Sequence, residues 1–195
     1  MFSGYFIALA IGIVAGVALG SFSLLRRPSA PLIEFLRSIP PTALIPITVV
    51  ALGIGASAKI ALIAFTCVWP VLLNTIGAIR GIDPVLLDSM RIFGIRGRAK
   101  VIWVLLPGAM PRIFAGARTS LSLSLIMVVV SELVASTEGI GYFIIQAQRT
   151  FSFADMWSGV VLIGMLGYVL NAAFMALERL ILTRRGFDLS GPGHF

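Results

Sequence analysis

Apolar runs of bilayer-crossing length follow one another through this chain of 195 residues, with only short polar breaks between them. A bilayer core takes about 20 apolar residues per helix, whereas a soluble core helix needs only one apolar stripe. The composition matches the first case: 58% of residues are hydrophobic and mean hydropathy is +1.03. The expectation is an all-α polytopic membrane protein of about five spans, in a single domain over residues 1–195. Span A runs from Tyr5 to Leu25, span C from about Lys59 to Ala78, span D from about Arg112 to Val134, and span E from about Trp157 to Leu182. Span B, Thr42 to Gly53, is short and carries Pro46, so it reads as broken or tilted. Residues 26–41 are expected to be a loop ended by Pro40 and Pro41, and residues 135–156 a loop with a short surface helix near Tyr142 to Ile145. The tail, 183–195, is expected to fray.

Charge sets the topology. Of 15 Lys and Arg, three lie between A and B, seven between C and D with its flank, and three at the C-terminal end. Only Lys59 and Arg149 remain for the other side. Five alternating spans bring the three basic regions to one side, which the positive-inside rule makes the cytoplasm. The net charge of +7 is thereby explained without nucleic acid. Met1 then falls outside, which predicts a further helix upstream. Span A lacks the basic start and the short apolar run of a signal peptide.

Side chains that do bond chemistry are scarce. Cys67 is alone in an apolar segment, and the single His194 is two residues from the end. No phosphate-cradling G-x-x-x-x-G-K-[ST] loop is present, and no histidine lies within a span to serve a serine as base. Glu132 is an acid inside an apolar run, a default flag for function, although its place near the end of span D also lets it reach the interface. Ser120, Ser124 and Ser131 share a helix face, suited either to close packing or to a wetted path. Asn74 on span C reads as a helix–helix hydrogen bond or a path group. Gly12, Gly16 and Gly20, four apart, put three glycines on one face of span A where a neighbour can come close.

The polar interruption of about residues 80–111 is not a random linker. From Leu87 to Pro111 it carries Asp88, Arg91, Arg96, Arg98 and Lys100, yet Leu87, Met90 and Phe93 recur at helical spacing, and Val101, Ile102, Val104 and Leu105 follow. Gly94 and Gly97 divide it, and Pro107 and Pro111 are expected to end the second piece. Two short amphipathic helices outside the bilayer are the expectation.

This stretch resembles the cytoplasmic signature of membrane subunits of binding-protein-dependent ABC importers: E-A-A, three residues, Gly, nine residues, then I-x-L-P. Asp88-Ser89-Met90 stands at the first three positions and Gly94 at the glycine. Ile95 to Trp103 supply the nine residues, and Val104-Leu105-Leu106-Pro107 the close. Asp replaces Glu, Ser and Met replace the alanines, and Val replaces Ile. Arg37-Ser38-Ile39-Pro40, Leu44-Ile45-Pro46, Gly53-Ile54-Gly55, Gly116-Ala117-Arg118, Ser131-Glu132-Leu133 and Gly139-Ile140-Gly141-Tyr142 are similar to the branch of nitrate, taurine, aliphatic-sulfonate and bicarbonate permeases.

The resemblance implies a type I importer permease fold, with six helices in the family, and no catalytic residue, metal or cofactor in this chain. ATP and Mg would sit on a partner dimer of ATP-binding subunits, docked on a coupling loop of Leu87, Asp88, Met90, Phe93, Gly94, Val104, Leu106 and Pro107. A second permease copy, an extracytoplasmic substrate-binding protein and the bilayer of the cell inner membrane would complete the assembly. The cargo implied is a small anion, with thiamine-precursor-like heterocycles as the alternative. A membrane-embedded enzyme or an ATP-independent channel is the rival class; both would call for more ionisable groups within the spans.

Overall fold

The computed structural model describes residues 1–95 and 97–184. Arg96 and the tail beyond residue 184, with His194, lie outside the described residues. The elements are α1 (Phe2–Ser21), α2 (Ser23–Ser38), a 3-10 turn (Pro41–Leu44), α3 (Ile45–Leu52), α4 (Ala56–Arg80), α5 (Pro84–Ile92), α6 (Gly97–Lys100), a π-helical segment (Val101–Leu105), α7 (Leu106–Ala135), α8 (Ile140–Arg149) and α9 (Phe153–Arg184). Among the described residues four helical runs are long and apolar enough to cross a membrane: Phe2–Ser21, Ala56–Arg80, Gly97–Ala135 and Phe153–Thr183.

Helix α4 is the centre. Its contact with α1 is set by glycines: a Cβ added at Gly12 would stand 2.8 Å from the Val71 Cβ, at Gly16 2.5 Å from the Thr75 Cβ, and at Gly20 2.8 Å from the Ile79 Cβ. Side chains at these positions would hold the helices apart, so the spacing of four read in the sequence is the contact itself. The partners on α4 advance in step with the glycines on α1, so the two helices run parallel. Residues 22–55 must therefore carry the chain back along the bundle, which makes them a fifth crossing.

That crossing is built differently from span B as expected. It is the pair Ser23–Ser38 and Pro41–Leu52, bent by 79°. The expected loop at 26–41 is mostly α2, which contains Pro28 and Pro31 and buries no residue. Pro40 and Pro41, expected to end the segment, mark the bend between α2 and the 3-10 turn.

Along a neighbouring face α4 meets α7 in antiparallel, with Val71 meeting Gly12 of α1 as well as Gly116 of α7. A Cβ at Gly116 would lie 2.9 Å from the Pro70 carbonyl oxygen. The Ser120 hydroxyl donates to the Cys67 carbonyl at 2.7 Å, and the Tyr5 hydroxyl donates to the Ala117 carbonyl at 3.1 Å, tying α1 to α7. Ala8, Ile45, Leu62, Ile63, Cys67 and Met127 form a core shared by α1, α3, α4 and α7.

Pro107 and Pro111 do not end a helix, contrary to expectation. Gly97–Ala135 is one helical run with Pro107 in the first turn of α7 and Pro111 inside it. A proline cannot donate to the carbonyl four residues back and crowds it. The π segment just before Pro107, in which the Leu106 N–H bonds the Val101 carbonyl, shifts the hydrogen-bond register and lets the run continue. Helix α9 buries none of its most apolar window within this chain, leaving it for lipid or another subunit.

Replacing Gly16 by Leu should overpack the α1–α4 contact and cost about 1–3 kcal/mol or more. Gly164, with open space around its Cβ position, should accept Ala with little change. Thermal unfolding of the detergent-purified variants, followed by size-exclusion chromatography, checks both; equal melting temperatures would contradict the close-packed contact.

Candidate functional site

The two ends of the bundle carry different polar chemistry. At the basic end, α4 stops at Arg80 and the chain turns through Gly81 into α5. The Asp83 carboxylate accepts the Val85 N–H at 2.8 Å, and Pro84 opens the helix with the φ it needs. At the far end Gly94 takes φ +70°, and the Ile95 N–H reaches back to the Met90 carbonyl at 3.0 Å. This six-to-one bond with a left-handed glycine closes helices sharply, and a side chain at 94 would strain it.

The faces of α5 depart from expectation. Met90 is buried, and Leu87 packs against the cluster of Ala78, Ile79, Ile82, Leu105, Ala109 and Ile113. These two side chains hold α5 to the bundle, Met90 fully and Leu87 in part. The apolar groups turned outward are Val85, Ile92 and Phe93, which are 70%, 84% and 79% exposed. Asp88, on the same outward face between Val85 and Ile92, is exposed as well. Of the closing residues, Val104, Leu106 and Pro107 are half-buried, while Ile102 and Trp103 are exposed. A 3.6-residue period fits Leu87–Met90 and Val85–Ile92 alike, and only the position of the bundle decides which stripe faces in.

The residues considered for a path are mostly spent on packing. Ser120 and Ser124 are fully buried; the Ser124 hydroxyl donates to the Leu121 carbonyl at 2.7 Å, and that of buried Ser131 to the Val128 carbonyl at 2.8 Å. The Asn74 amide donates to the Pro70 carbonyl at 2.8 Å, where α7 passes at Gly116. These groups serve the helix–helix contacts that a small-residue face also predicts. The hydroxyls of α7 left exposed are Thr119 and Ser122, three apart on the opposite face. Ser122 lines a cleft of about 400 Å³ between α7 and α9 together with Tyr168 and Asn171.

Glu132 organises the other end. Its carboxylate accepts from the Lys59 ammonium at 3.2 Å and from the Gly141 N–H at 3.1 Å, and Lys59 also donates to the Ser136 hydroxyl at 3.1 Å. One acid thus joins the start of α4, the end of α7 and the start of α8. Gly139 sits at φ +109° with its Cβ position 2.2 Å from the Glu132 carboxyl carbon, so only glycine fits there. The charge count put Lys59 on this sparsely basic side but gave it no partner. A second pair, Arg118 with Glu178, links α7 to α9; Glu178 went unnoticed in the sequence, although an acid inside an apolar run was the available signal. Among the described residues no three His, Cys, Asp or Glu side chains come together as a metal site requires.

The family model described as "Binding-protein-dependent transport system inner membrane component" matches residues 8–186. The taurine transport system permease protein TauC of Escherichia coli (strain K12) is 31% identical over 93% of this chain and 66% of its own length. The putative aliphatic sulfonates transport permease protein SsuC of Bacillus subtilis (strain 168) is 29% identical over 93% and 66%. The bicarbonate transport system permease protein CmpB of Synechocystis sp. (strain ATCC 27184 / PCC 6803 / Kazusa) is 32% identical over 91% and 64%. The chain thus spans just under two thirds of these relatives. In fold it is similar to a chain of the inward-facing MetNI methionine ABC transporter, with a TM-score of 0.81 at 24% identity over 93% of this chain and 90% of that one.

Breaking the Lys59–Glu132 pair with Glu132→Gln should cost about 2 kcal/mol, below the ~3–5 of a fully buried pair because Lys59 keeps contact with water. The double variant Lys59→Met, Glu132→Leu should recover part of that loss. Thermal unfolding of the set checks this; purely additive losses would contradict a coupled pair.

Proposed function

The chain belongs to the family of binding-protein-dependent transport system inner membrane components, and from that premise we propose that it is the permease subunit of an ATP-driven importer. Its helices form half of the translocation path, and a second copy forms the other half, meeting it in part through the unburied apolar surface of α9. The basic end lies in the cytoplasm. There an ATP-binding subunit, which carries ATP and Mg itself, seats the outward face of α5 in a groove. A soluble substrate-binding protein delivers cargo to the end held by Glu132 and α8.

The observation that carries this reading is the surface of α5. Val85, Ile92 and Phe93 stand exposed around Asp88 on a helix capped at both ends and braced by Leu87 and Met90. A free-standing apolar patch on a rigid helix is what a partner groove recognises. Because the helical run from Gly97 continues into α7 without a stop, force applied to α5 reaches the helix beside α4 after one glycine turn.

The cargo we propose is a small oxyanion. Support comes from the relatives, whose names specify taurine, aliphatic sulfonates and bicarbonate. The exposed Ser122, with Tyr168 and Asn171 across the α7–α9 cleft, offers neutral donors suited to several oxygens carrying one charge.

The Ile92→Asp variant should insert and melt like the unaltered protein but lose co-purification with the ATP-binding subunit and at least about tenfold in uptake, the effect of one charge buried in an apolar groove. The Met90→Asp variant should instead fail to fold. Uptake at the unaltered rate in well-inserted Ile92→Asp would refute docking through this face.

A further inference from the structure

At the basic end a cavity of about 330 Å³ opens between the end of α1, the end of α4 and the stretch after α5. Its lining is of two kinds. Phe22, Ile79 and Leu105 contribute apolar surface, while Arg80 and Lys100 contribute two positive charges. No carboxylate is among its described lining residues, and neither cation forms an ion pair with a described residue. Lys100 is half-buried, so its charge is partly withdrawn from water without a counter-charge from the described protein. Beside the cavity, Phe22, Leu24 and Leu25 are 60%, 86% and 50% exposed at the corner between α1 and α2, an apolar surface at the level where the chain leaves the membrane.

We infer that this cavity binds the headgroup of an anionic phospholipid from the leaflet on the basic side. The phosphate would lie between Arg80 and Lys100, and the first acyl carbons against Phe22 and its apolar neighbours. A free anion would satisfy the cations but leave the apolar wall unused; a neutral lipid would do the reverse. Basic pockets between membrane helices on the cytoplasmic side suit acidic headgroups for this reason. The lipid would join α4 to the segment carrying Lys100, and so hold the α5–α6 turn against the bundle. This rests on the orientation proposed above, with the basic end in the cytoplasmic leaflet, but it requires neither transport nor an ATP-binding subunit.

The test is lipid retention by the purified full chain in equimolar mixed micelles of phosphatidylglycerol and phosphatidylcholine, read by native mass spectrometry. Phosphatidylglycerol should be retained over phosphatidylcholine, and the preference should fall by about fivefold for each cation removed in Arg80→Gln, Lys100→Gln and the double variant. Arg98→Gln, exposed and outside the cavity lining, should leave the preference unchanged. Should the double variant fail to fold, the two single variants carry the same expectation. No preference in the unaltered chain, or an undiminished one in the Arg80 and Lys100 variants, would overturn the site. An equal loss in Arg98→Gln would reduce it to diffuse surface charge. Displacement of the lipid by millimolar inorganic phosphate would reassign it to a free anion. Because the readout is lipid retention, its failure leaves the transport reading standing, and failure of uptake or ATPase docking leaves the lipid site standing.

Discussion

With three glycines bringing α1 flush against α4 in the same direction, both helices end on the basic side, and the chain between them has to travel back along the bundle. That one contact fixes the sense of every later element. It obliges α2 and α3 to supply a return crossing, sends α4 toward the basic end, and leaves α7 to come back antiparallel along a neighbouring face of α4, where it also touches α1. Lipid gives no hydrophobic push between helices, so such bundles are held by closeness of packing and by hydrogen bonds. Both are here: glycines at 12, 16, 20 and 116 at the α4 interfaces, and hydroxyl-to-carbonyl bonds from Ser120 to α4 and from Tyr5 to α7.

Polar groups are then divided between the ends. On one, Glu132 collects Lys59 and the backbone of α8 into a closed cluster with its charges matched. On the other, cations outnumber acids and α5 presents apolar side chains to the outside. An end whose polar groups satisfy one another is a brace; an end that shows cations with no ion pair to a described residue, as Arg80 and Lys100 do, and an uncovered apolar helix has surfaces left for other molecules. The difference accounts for the placement of the proposed partners: an ATP-binding subunit on α5 and lipid phosphate beside it.

The sequence made the fold class, the glycine face, the five crossings and the position of the α5 turn legible, because each follows from spacing along a single helix. Gly94 needs only its place after an amphipathic run to be read as a turn. What could not be read was which side of a helix faces the bundle. Leu87 and Met90 share their period with Val85 and Ile92, and Ser120 and Ser124 are as polar as Thr119 and Ser122; tertiary placement alone assigns one stripe inward. Pro107 and Pro111 do not stop the helix because proline forbids one hydrogen bond and not a helix, and the π turn at Val101–Leu105 absorbs the loss. The Lys59–Glu132 and Arg118–Glu178 pairs escaped because their members are 73 and 60 residues apart.

The central claim is that a separate ATP-binding subunit drives this chain through the outward face of α5. Site-directed cross-linking measures it directly: a cysteine placed at Phe93, reacted in membranes that contain the ATP-binding subunit, beside one placed at Trp157 at the opposite end. The account predicts a cross-linked product with the ATP-binding subunit from position 93, with a yield that changes when ATP is added, and none from position 157. No product from 93, or an equal one from 157, would contradict it.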